Sequence, residues 1–113
     1  MHELSITENL VRVLQEQSSA QNFKKVLRVR LDVGMLSTLE PDSLIFCFDT
    51  VAKGTVAEGA AVEIHRSPGI AQCRKCGTQT EISAYGEPCS HCESFELNVL
   101  SGKDMMIKDV EVE

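Results

Sequence analysis

Apolar residues recur at two different spacings along this 113-residue chain. Between residues 3 and 20 they return every three or four positions, which predicts an amphipathic helix. Residues 5–8, Ser-Ile-Thr-Glu, match a capping box, and a helix start one turn earlier stays open. The predicted core stripe of this helix consists of Leu4, Leu10, Val11 and Leu14, widened by Ile6 and Val13.

A second helix is predicted from Pro41 to about Lys53. Proline is tolerated at the first helical position, and Gly54 directly after the segment is a common stop signal. Glu40 or Thr38 is expected at the N-cap. The predicted buried face of this helix consists of Leu44, Phe48 and Val51, together with Ile45 and Ala52.

Three further segments are predicted strands, at residues 25–33, 61–66 and 105–113. In the first, apolar and charged residues alternate with the two-residue period of a half-buried strand. The inward positions predicted there are Leu27, Val29, Leu31 and Val33. In the last segment the alternation is clean only at its end.

The order of these elements predicts an α+β fold. Two amphipathic helices bury their apolar faces most simply on one face of a three-stranded sheet. Four of the five cysteines then lie in an inserted four-cysteine zinc-ribbon module of the rubredoxin-like type, between two strands of that sheet. The corresponding domain division is residues 1–68 plus 99–113 for the α+β domain and residues 69–98 for the zinc-binding module.

Four cysteines form two Cys-x-x-Cys pairs, Cys73 with Cys76 and Cys89 with Cys92, separated by twelve residues. Two such pairs supply four thiolates within tetrahedral reach of one ion, the arrangement that Zn²⁺ prefers. A complete set of four protein ligands leaves no open position for water or substrate, so the predicted zinc is structural. The fifth, Cys47, is interpreted as a small buried hydrophobe.

Charge narrows the possible partners. Eleven basic residues stand against seventeen acidic ones, a net charge of −6, and even the cysteine segment from residue 66 to 98 is slightly acidic. Such a chain lacks the basic footprint of a nucleic-acid binder. No apolar run approaches the ~20 residues that span a bilayer, and the N-terminus carries acids where a signal peptide is basic. We therefore expect a cytoplasmic protein with neither nucleic-acid nor membrane partners.

His2 gives the N-terminus a distinctive chemistry. The α-amine of Met1, the His2 backbone nitrogen and the His2 imidazole can close two fused chelate rings, and the Glu3 backbone nitrogen can complete a plane of four nitrogens. Square-planar nitrogen coordination suits Ni²⁺ or Cu²⁺ far better than Zn²⁺. The Glu3 carboxylate is an axial ligand, an orienting group or a helix-start charge. His65 and His91 are interpreted as exposed, with a metal role as the alternative.

Taken together, the opening Met-His-Glu-Leu-Ser, the two Cys-x-x-Cys pairs and the acidic end Val-Glu-Val-Glu resemble the HypA/HybF family of nickel-incorporation metallochaperones. The resemblance covers the whole chain, including residues 46–49 and 54–59. It implies a nickel site at His2 with Glu3 and the Met1 amine, which makes the α+β domain the nickel-binding one. It also implies structural Zn²⁺ on the four paired cysteines, and delivery of Ni²⁺ to the hydrogenase large subunit with a HypB-type GTPase as partner. Some family members also serve urease maturation proteins.

Two other classes compete with a nickel carrier. A zinc-ribbon nucleic-acid module requires a basic patch that the charge pattern lacks. A zinc-stabilised protein-interaction adaptor shares every feature except the N-terminal chelate, so nickel binding alone distinguishes it. An enzyme is disfavoured, because the sequence contains no nucleophile triad spacing, no glycine-rich phosphate loop and no open zinc site.

Overall fold

The computed structural model describes residues 3–113. Within that range, the chain forms two helices and six strands, and the strands form two three-stranded sheets. The α+β class and both predicted helices are confirmed. In chain order the elements are α1 (Glu3–Gln21), β1 (Val26–Gly34), α2 (Pro41–Val51), β2 (Ala61–Ser67), β3 (Gly69–Cys73), β4 (Gln79–Ile82), β5 (Leu97–Ser101) and β6 (Met105–Val112).

Helix α1 begins at Glu3, one turn before the predicted capping box. The hydroxyl of Thr7 therefore lies inside the helix, where it donates to the carbonyl of Leu4 at 2.9 Å. The stripe prediction was wrong at Leu4, which is 53% exposed. The buried stripe runs through Glu3 and Thr7 in the first two turns and continues on the predicted apolar residues Leu10, Val11 and Leu14.

Helix α2 begins at Pro41 and is capped by Glu40, one of the two predicted caps. The Ser43 backbone N–H donates to the Glu40 carboxylate at 2.7 Å, and this hydrogen bond lowers the pKa of that carboxyl. The helix ends at Val51, two residues before the predicted end. It packs against α1 and buries Leu44 and Phe48, while Phe46 between them is exposed.

Strand β1 is the central strand of the first sheet, with β2 on one side and β6 on the other. Exposed ion pairs cross from β1 to both neighbours: Arg28 contacts Glu63 at 2.9 Å and Glu111 at 3.5 Å, and Arg30 contacts Asp109 at 3.0 Å. The charged half of the predicted alternation therefore lies on the solvent face.

The alternation fails at the start of β1. Val26 is fully buried, whereas Leu27, predicted to point inward, is 36% exposed. The regular two-residue burial pattern begins only at Val29. The backbone N–H of Val26 donates to the carbonyl of Val56 at 2.8 Å, and this hydrogen bond to a loop holds the strand entrance where Val26 turns inward.

The chain divides into two compact units. The helical unit contains both helices and comprises the chain up to Leu31, Leu39–Ile64 and Ile107–Glu113. The cysteine unit comprises Asp32–Thr38 and His65–Met106. These limits describe where the chain packs on itself, and the domain division predicted from the sequence stays a prediction.

The cysteine unit contains the second sheet, which the sequence pattern did not predict. Strand β3 is central and pairs antiparallel with β4 and β5. Its small apolar core consists of Leu36, Ala71 and Ile82, with Leu97 and Val99 packed against it. Leu36 comes from the segment directly after β1, so this core joins residues that are distant in the sequence.

Three glycines allow chain segments of the cysteine unit to cross at close range. A Cβ atom on Gly34 would lie 2.0 Å from the Gly102 carbonyl oxygen, and one on Gly102 would lie 2.5 Å from the Gly69 Cα. Gly102 also has a φ of 97°, which L side chains rarely adopt. The same crossing is held by a hydrogen bond of 2.9 Å from the Leu36 N–H to the Gly102 carbonyl.

Candidate metal centre

The two Cys-x-x-Cys pairs lie on two copies of the same turn, which we call the first knuckle (residues 73–78) and the second knuckle (residues 89–94). In each, the N–H of the fifth residue donates to the carbonyl of the first, at 3.0 and 2.9 Å. The N–H of the first residue donates to the carbonyl of the sixth, at 3.0 and 2.7 Å. The fifth residue has a left-handed backbone in both, with φ of 77° at Gly77 and 65° at Glu93. The sequence therefore forms the same ligand-presenting turn twice.

The knuckles bring four sulfur atoms together. All four Sγ atoms lie within 4.8 Å of one another. Cys73 and Cys92 are 3.6 Å apart, and Cys76 and Cys89 are 3.7 Å apart, so each close pair joins one knuckle to the other. Tetrahedral Zn–S bonds of about 2.3 Å require sulfur separations of about 3.8 Å. The donor set and its dimensions therefore fit a four-coordinate zinc ion.

The first cysteine of each knuckle points inward and the second points outward. Cys73 and Cys89 are buried, whereas Cys76 and Cys92 are exposed. Backbone N–H groups point at the buried sulfurs: the N–H of Cys76 is 3.5 Å from Cys73 Sγ, and the N–H of His91 is 3.4 Å from Cys89 Sγ. Such N–H groups stabilise negative charge on sulfur inside the protein.

The thiols of Cys73, Cys76 and Cys92 have unequal proton affinities. Hydrogen bonding to the side chain and then to the backbone of Thr78 lowers the pKa of Cys76 to about 6. A hydrogen bond from the Cys76 backbone lowers the pKa of Cys73. The backbone of Ser94 also acts to lower the pKa of Cys92, but desolvation and the other three thiols outweigh it and raise that pKa to about 12. One site thus combines an easily ionised thiol with one that ionises only when a cation neutralises its neighbours.

A polar contact ties the second knuckle to the sheet. The hydroxyls of Thr80 on β4 and Ser90 in the second knuckle lie 2.7 Å apart. The Ser90 N–H also donates to the Thr80 hydroxyl at 3.3 Å. Thr80 is buried, so this pair satisfies a polar group in the interior while fixing the position of the turn.

The remaining candidate ligands do not form a cluster. His65 and His91 are exposed, as predicted. Over residues 3–113, the four paired cysteines are the only group of three or more potential metal ligands within mutual reach. Cys47, predicted to be a small buried hydrophobe, is half-buried on α2, because it lies between the inward face and the exposed Phe46.

The predicted nickel site lies only partly within the described residues. Met1 and His2 fall outside them. Glu3 is the first residue of α1 and is buried, and its carboxylate accepts the Glu40 backbone N–H at 3.3 Å. The residue beside His2 is therefore anchored to the start of α2.

Sequence reasoning missed Glu40 as the partner of Glu3, and Thr78 as the group that lowers the Cys76 pKa. Thr78 had a local signal, because it is a hydroxyl residue two positions after a predicted ligand. Glu40 had none, because only the fold brings it to Glu3.

Known proteins are similar to this chain in both sequence and structure. Across the described residues, no helix is long and apolar enough to cross a membrane. A family model described as "Hydrogenase/urease nickel incorporation, metallochaperone, hypA" matches residues 1–112. The hydrogenase maturation factors HypA of Acidithiobacillus ferrooxidans and Azotobacter chroococcum are each 42% identical to this chain over 113 residues, covering both chains completely.

Solved structures show the same fold. The solution structure of the Ni metallochaperone HypA from Helicobacter pylori has a TM-score of 0.71 at 22% identity, over 99% of this chain and 97% of that one. A second HypA solution structure has a TM-score of 0.75 at 23% identity, over 100% of this chain and 97% of that one. The family model and the sequence relatives show that the chain belongs to the HypA family of nickel-incorporation metallochaperones.

Proposed function

We propose that this protein carries Ni²⁺ on Met1, His2 and Glu3 and delivers it to the hydrogenase large subunit together with a HypB-type GTPase. The observation that carries the proposal is the match of residues 1–112 to a family defined by nickel incorporation. A carrier rather than an enzyme also fits the four-thiolate centre, because a complete protein ligand set leaves no position for a substrate.

The start of α1 supports a terminal chelate on physical grounds. Glu3 opens the helix, and N–H groups in the first turn have no intrahelical acceptor. Ni²⁺ can therefore replace the proton of the Glu3 amide, which is released to water, without breaking a helical hydrogen bond. The deprotonated amides of His2 and Glu3 supply negative charge where the helix dipole is positive, which offsets the unfavourable placement of a cation there.

Zn²⁺ in this proposal is a structural ion on Cys73, Cys76, Cys89 and Cys92. The cysteine unit has a small apolar core, so a bound metal supplies folding energy that burial does not. Zinc holds the two knuckles together, and their own residues set its environment: the N–H groups on the buried sulfurs and the Thr80–Ser90 contact.

Recipients and location complete the proposal. The family description includes urease as well as hydrogenase, so we include urease maturation proteins as second recipients. We place the activity in the cytoplasm, a reducing compartment in which the four cysteines remain reduced and able to bind a metal.

A nickel titration tests the terminal site. The zinc-loaded, untagged protein is compared with a version that carries one extra residue before Met1, which moves the amine and leaves all packing unchanged. We expect near one equivalent of Ni²⁺ on the native form and loss of that binding on the extended form. His2→Ala should lose it as well, whereas the matched variants His65→Ala and His91→Ala should keep it.

The same titration separates the rival functions. Equal binding by both forms assigns nickel to another place in the chain and removes the terminal site. Absence of binding in both leaves the zinc-stabilised protein-interaction adaptor as the better function. In cells, normal hydrogenase activity in a His2→Ala strain at limiting nickel would contradict delivery from this site.

A further inference from the structure

One aromatic residue of α2 is exposed although its helix is otherwise well packed. Leu44 and Phe48 are buried, while Phe46 is 72% exposed. A single exposed apolar residue is ordinary on a protein surface. A second feature of the same helix face makes Phe46 informative.

A cavity of about 620 Å³ lies beside that face, lined by Asp49, Lys53, Glu58, Gly59 and Ala60. Asp49 follows Phe46 by three positions, so these two side chains are neighbours on the surface of α2, and Lys53 lies two residues beyond the end of the helix at Val51. The cavity has the size of an ordinary ligand or side-chain pocket. The exposed Phe46 is therefore the helical neighbour of Asp49, which lines a cavity with charged walls, and all of these residues belong to the helical unit.

The outer wall of this recess is held in place by the loop that follows α2. The Glu58 carboxylate accepts the Gly54 N–H at 2.6 Å, and the Glu58 N–H donates to the Thr55 carbonyl at 3.1 Å. The Ala60 N–H donates to the Ala57 carbonyl at 3.0 Å. A wall fixed in this way needs little ordering when a ligand enters.

The charges of the surface select the kind of ligand. Two carboxylates, Asp49 and Glu58, face one ammonium, Lys53, and Asp42 adds a further negative charge one turn before Phe46. Within the described chain, Asp49 makes no ion pair, so its carboxylate is available. An anionic ligand would be repelled, whereas a guanidinium can pair with a carboxylate and stack on an aromatic face.

We propose that this surface, Phe46 with the adjoining cavity, is a docking site for an arginine-bearing segment of a protein partner. The guanidinium enters between Asp49 and Glu58, and apolar neighbours of the arginine pack on Phe46. The site needs no nickel, and its loss would leave metal binding at either predicted centre unchanged.

The test uses the full-length, zinc-loaded, nickel-free protein labelled with ¹⁵N. The probe is the peptide acetyl-Leu-Arg-Leu-amide, compared with the same peptide carrying citrulline or glutamate in place of arginine. We expect saturable amide shifts confined to residues 42–60, with a Kd on the order of 1 mM. Citrulline, which keeps the shape and loses the charge, should bind about tenfold more weakly, and glutamate should not bind.

Matched variants localise the effect. Phe46→Ala and Asp49→Asn should each weaken the arginine peptide by about fivefold. Glu58→Gln should do the same while keeping the acceptor oxygen that fixes the Gly54 N–H. Phe95→Ala is the control, because Phe95 lies in the cysteine unit and, at 71%, is almost as exposed as Phe46.

Several results of the peptide titration would overturn the proposal. These are shifts that map outside residues 42–60, equal binding of the citrulline peptide, preference for the glutamate peptide, and absence of shifts at about 10 mM probe, tenfold above the expected Kd. An equal loss on Phe95→Ala would also count against it, because the contact would then be unspecific.

Discussion

The helical unit and the cysteine unit reach an ordered structure by different means. The helical unit buries large apolar side chains from both helices and from β1, with Phe48, Leu14 and Leu44 at most 2% exposed. The cysteine unit has a smaller apolar cluster around Leu36, Ala71 and Ile82, and its buried residues include two of the metal-ligand candidates, Cys73 and Cys89. Hydrophobic burial therefore stabilises the helical unit, whereas in the cysteine unit we expect metal binding by the four thiolates to supply the folding free energy that burial does not.

Metal removal should produce the largest difference in stability between the two units. Binding of a structural zinc contributes about 10–16 kcal/mol to small metal-stabilised domains. We expect a strong chelator to collapse the amide spectrum of residues 69–101 into the unfolded range while the helical circular dichroism of α1 and α2 persists. Heteronuclear NMR during chelation and zinc return measures both.

Cysteine variants provide the control for that experiment. Cys89→Ser should behave like the chelated protein, whereas Cys47→Ser, which changes a thiol outside the cluster, should retain zinc and both units. Simultaneous loss of both units on chelation would show that the contrast drawn above is wrong.

Acidification should act on the cysteine unit through the same centre. Metal binding needs thiolates, so every thiol that is still protonated in the metal-free protein must release a proton. Cys92 has a pKa raised to about 12, so it must release a proton on metal binding at any ordinary pH. Cys76 has a pKa lowered to about 6, so it must release a proton on metal binding only below about pH 6. Zinc affinity should therefore fall as pH falls, and each further proton steepens the fall by about tenfold per pH unit.

A competition titration with a zinc indicator between pH 5 and 7.5 measures how steeply the zinc affinity falls as the pH falls. Below about pH 6 we expect this slope to steepen, because about one additional proton is released for each zinc ion bound. In Thr78→Val, which removes the hydroxyl that lowers the Cys76 pKa, the steepening should move to higher pH. A slope that is constant in both proteins would contradict the assignment.

A core truncation should affect the helical unit in turn. Phe48 is 1% exposed, and Phe48→Ala removes a buried ring and leaves a cavity, at a cost of about 3–5 kcal/mol. We expect a lower midpoint in urea for the helical signal and unchanged zinc affinity. Phe46→Ala on the exposed face is the matched control and should change the midpoint little.

The smallest expected effect distinguishes the two knuckles. Gly77 and Glu93 occupy equivalent left-handed positions, and open space surrounds a Cβ at residue 77, so its cost is purely one of backbone conformation. Gly77→Ala should destabilise the zinc-loaded protein by about 1–2 kcal/mol, and Glu93→Gly should stabilise it by about 0.5–1 kcal/mol. Thermal unfolding of the zinc-loaded variants measures both, and equal signs would contradict the equivalence of the turns.

Sequence periodicity was sufficient where burial decides the structure. Both helices and the three strands of the first sheet lie where the sequence pattern predicted them, because a long amphipathic segment keeps a single spacing of its apolar residues. The errors are local: Leu4 and Leu27 are exposed where the tertiary fold shifts the buried stripe by one position. The spacing of the cysteines likewise predicted which side chains meet, since two identical knuckles need only local turns.

The rest depended on contacts that a linear pattern does not contain. Strands β3, β4 and β5 have four or five residues each, too few to show a clear two-residue period. In β4 the burial does alternate, with Thr80 and Ile82 buried and the other two residues exposed. Leu36 belongs to the core of the cysteine unit although it follows β1 directly. The partner of Glu3 and the cavity beside Phe46 likewise arise only when α2 and its following loop are in place.

The close contact of Gly34, Gly102 and Gly69 limits where this chain can be divided into fragments or exchanged with segments of its relatives. Because Gly34 touches Gly102, and Gly102 touches Gly69, three peptides from separate parts of the chain occupy one small volume. A fragment excised at residues 69 and 98 would keep the four paired cysteines but would lack two of those peptides and the Leu36 side chain. Any graft of the metal centre onto another scaffold therefore has to supply a substitute for residues 32–38, and any exchange between relatives has to keep all three glycines together.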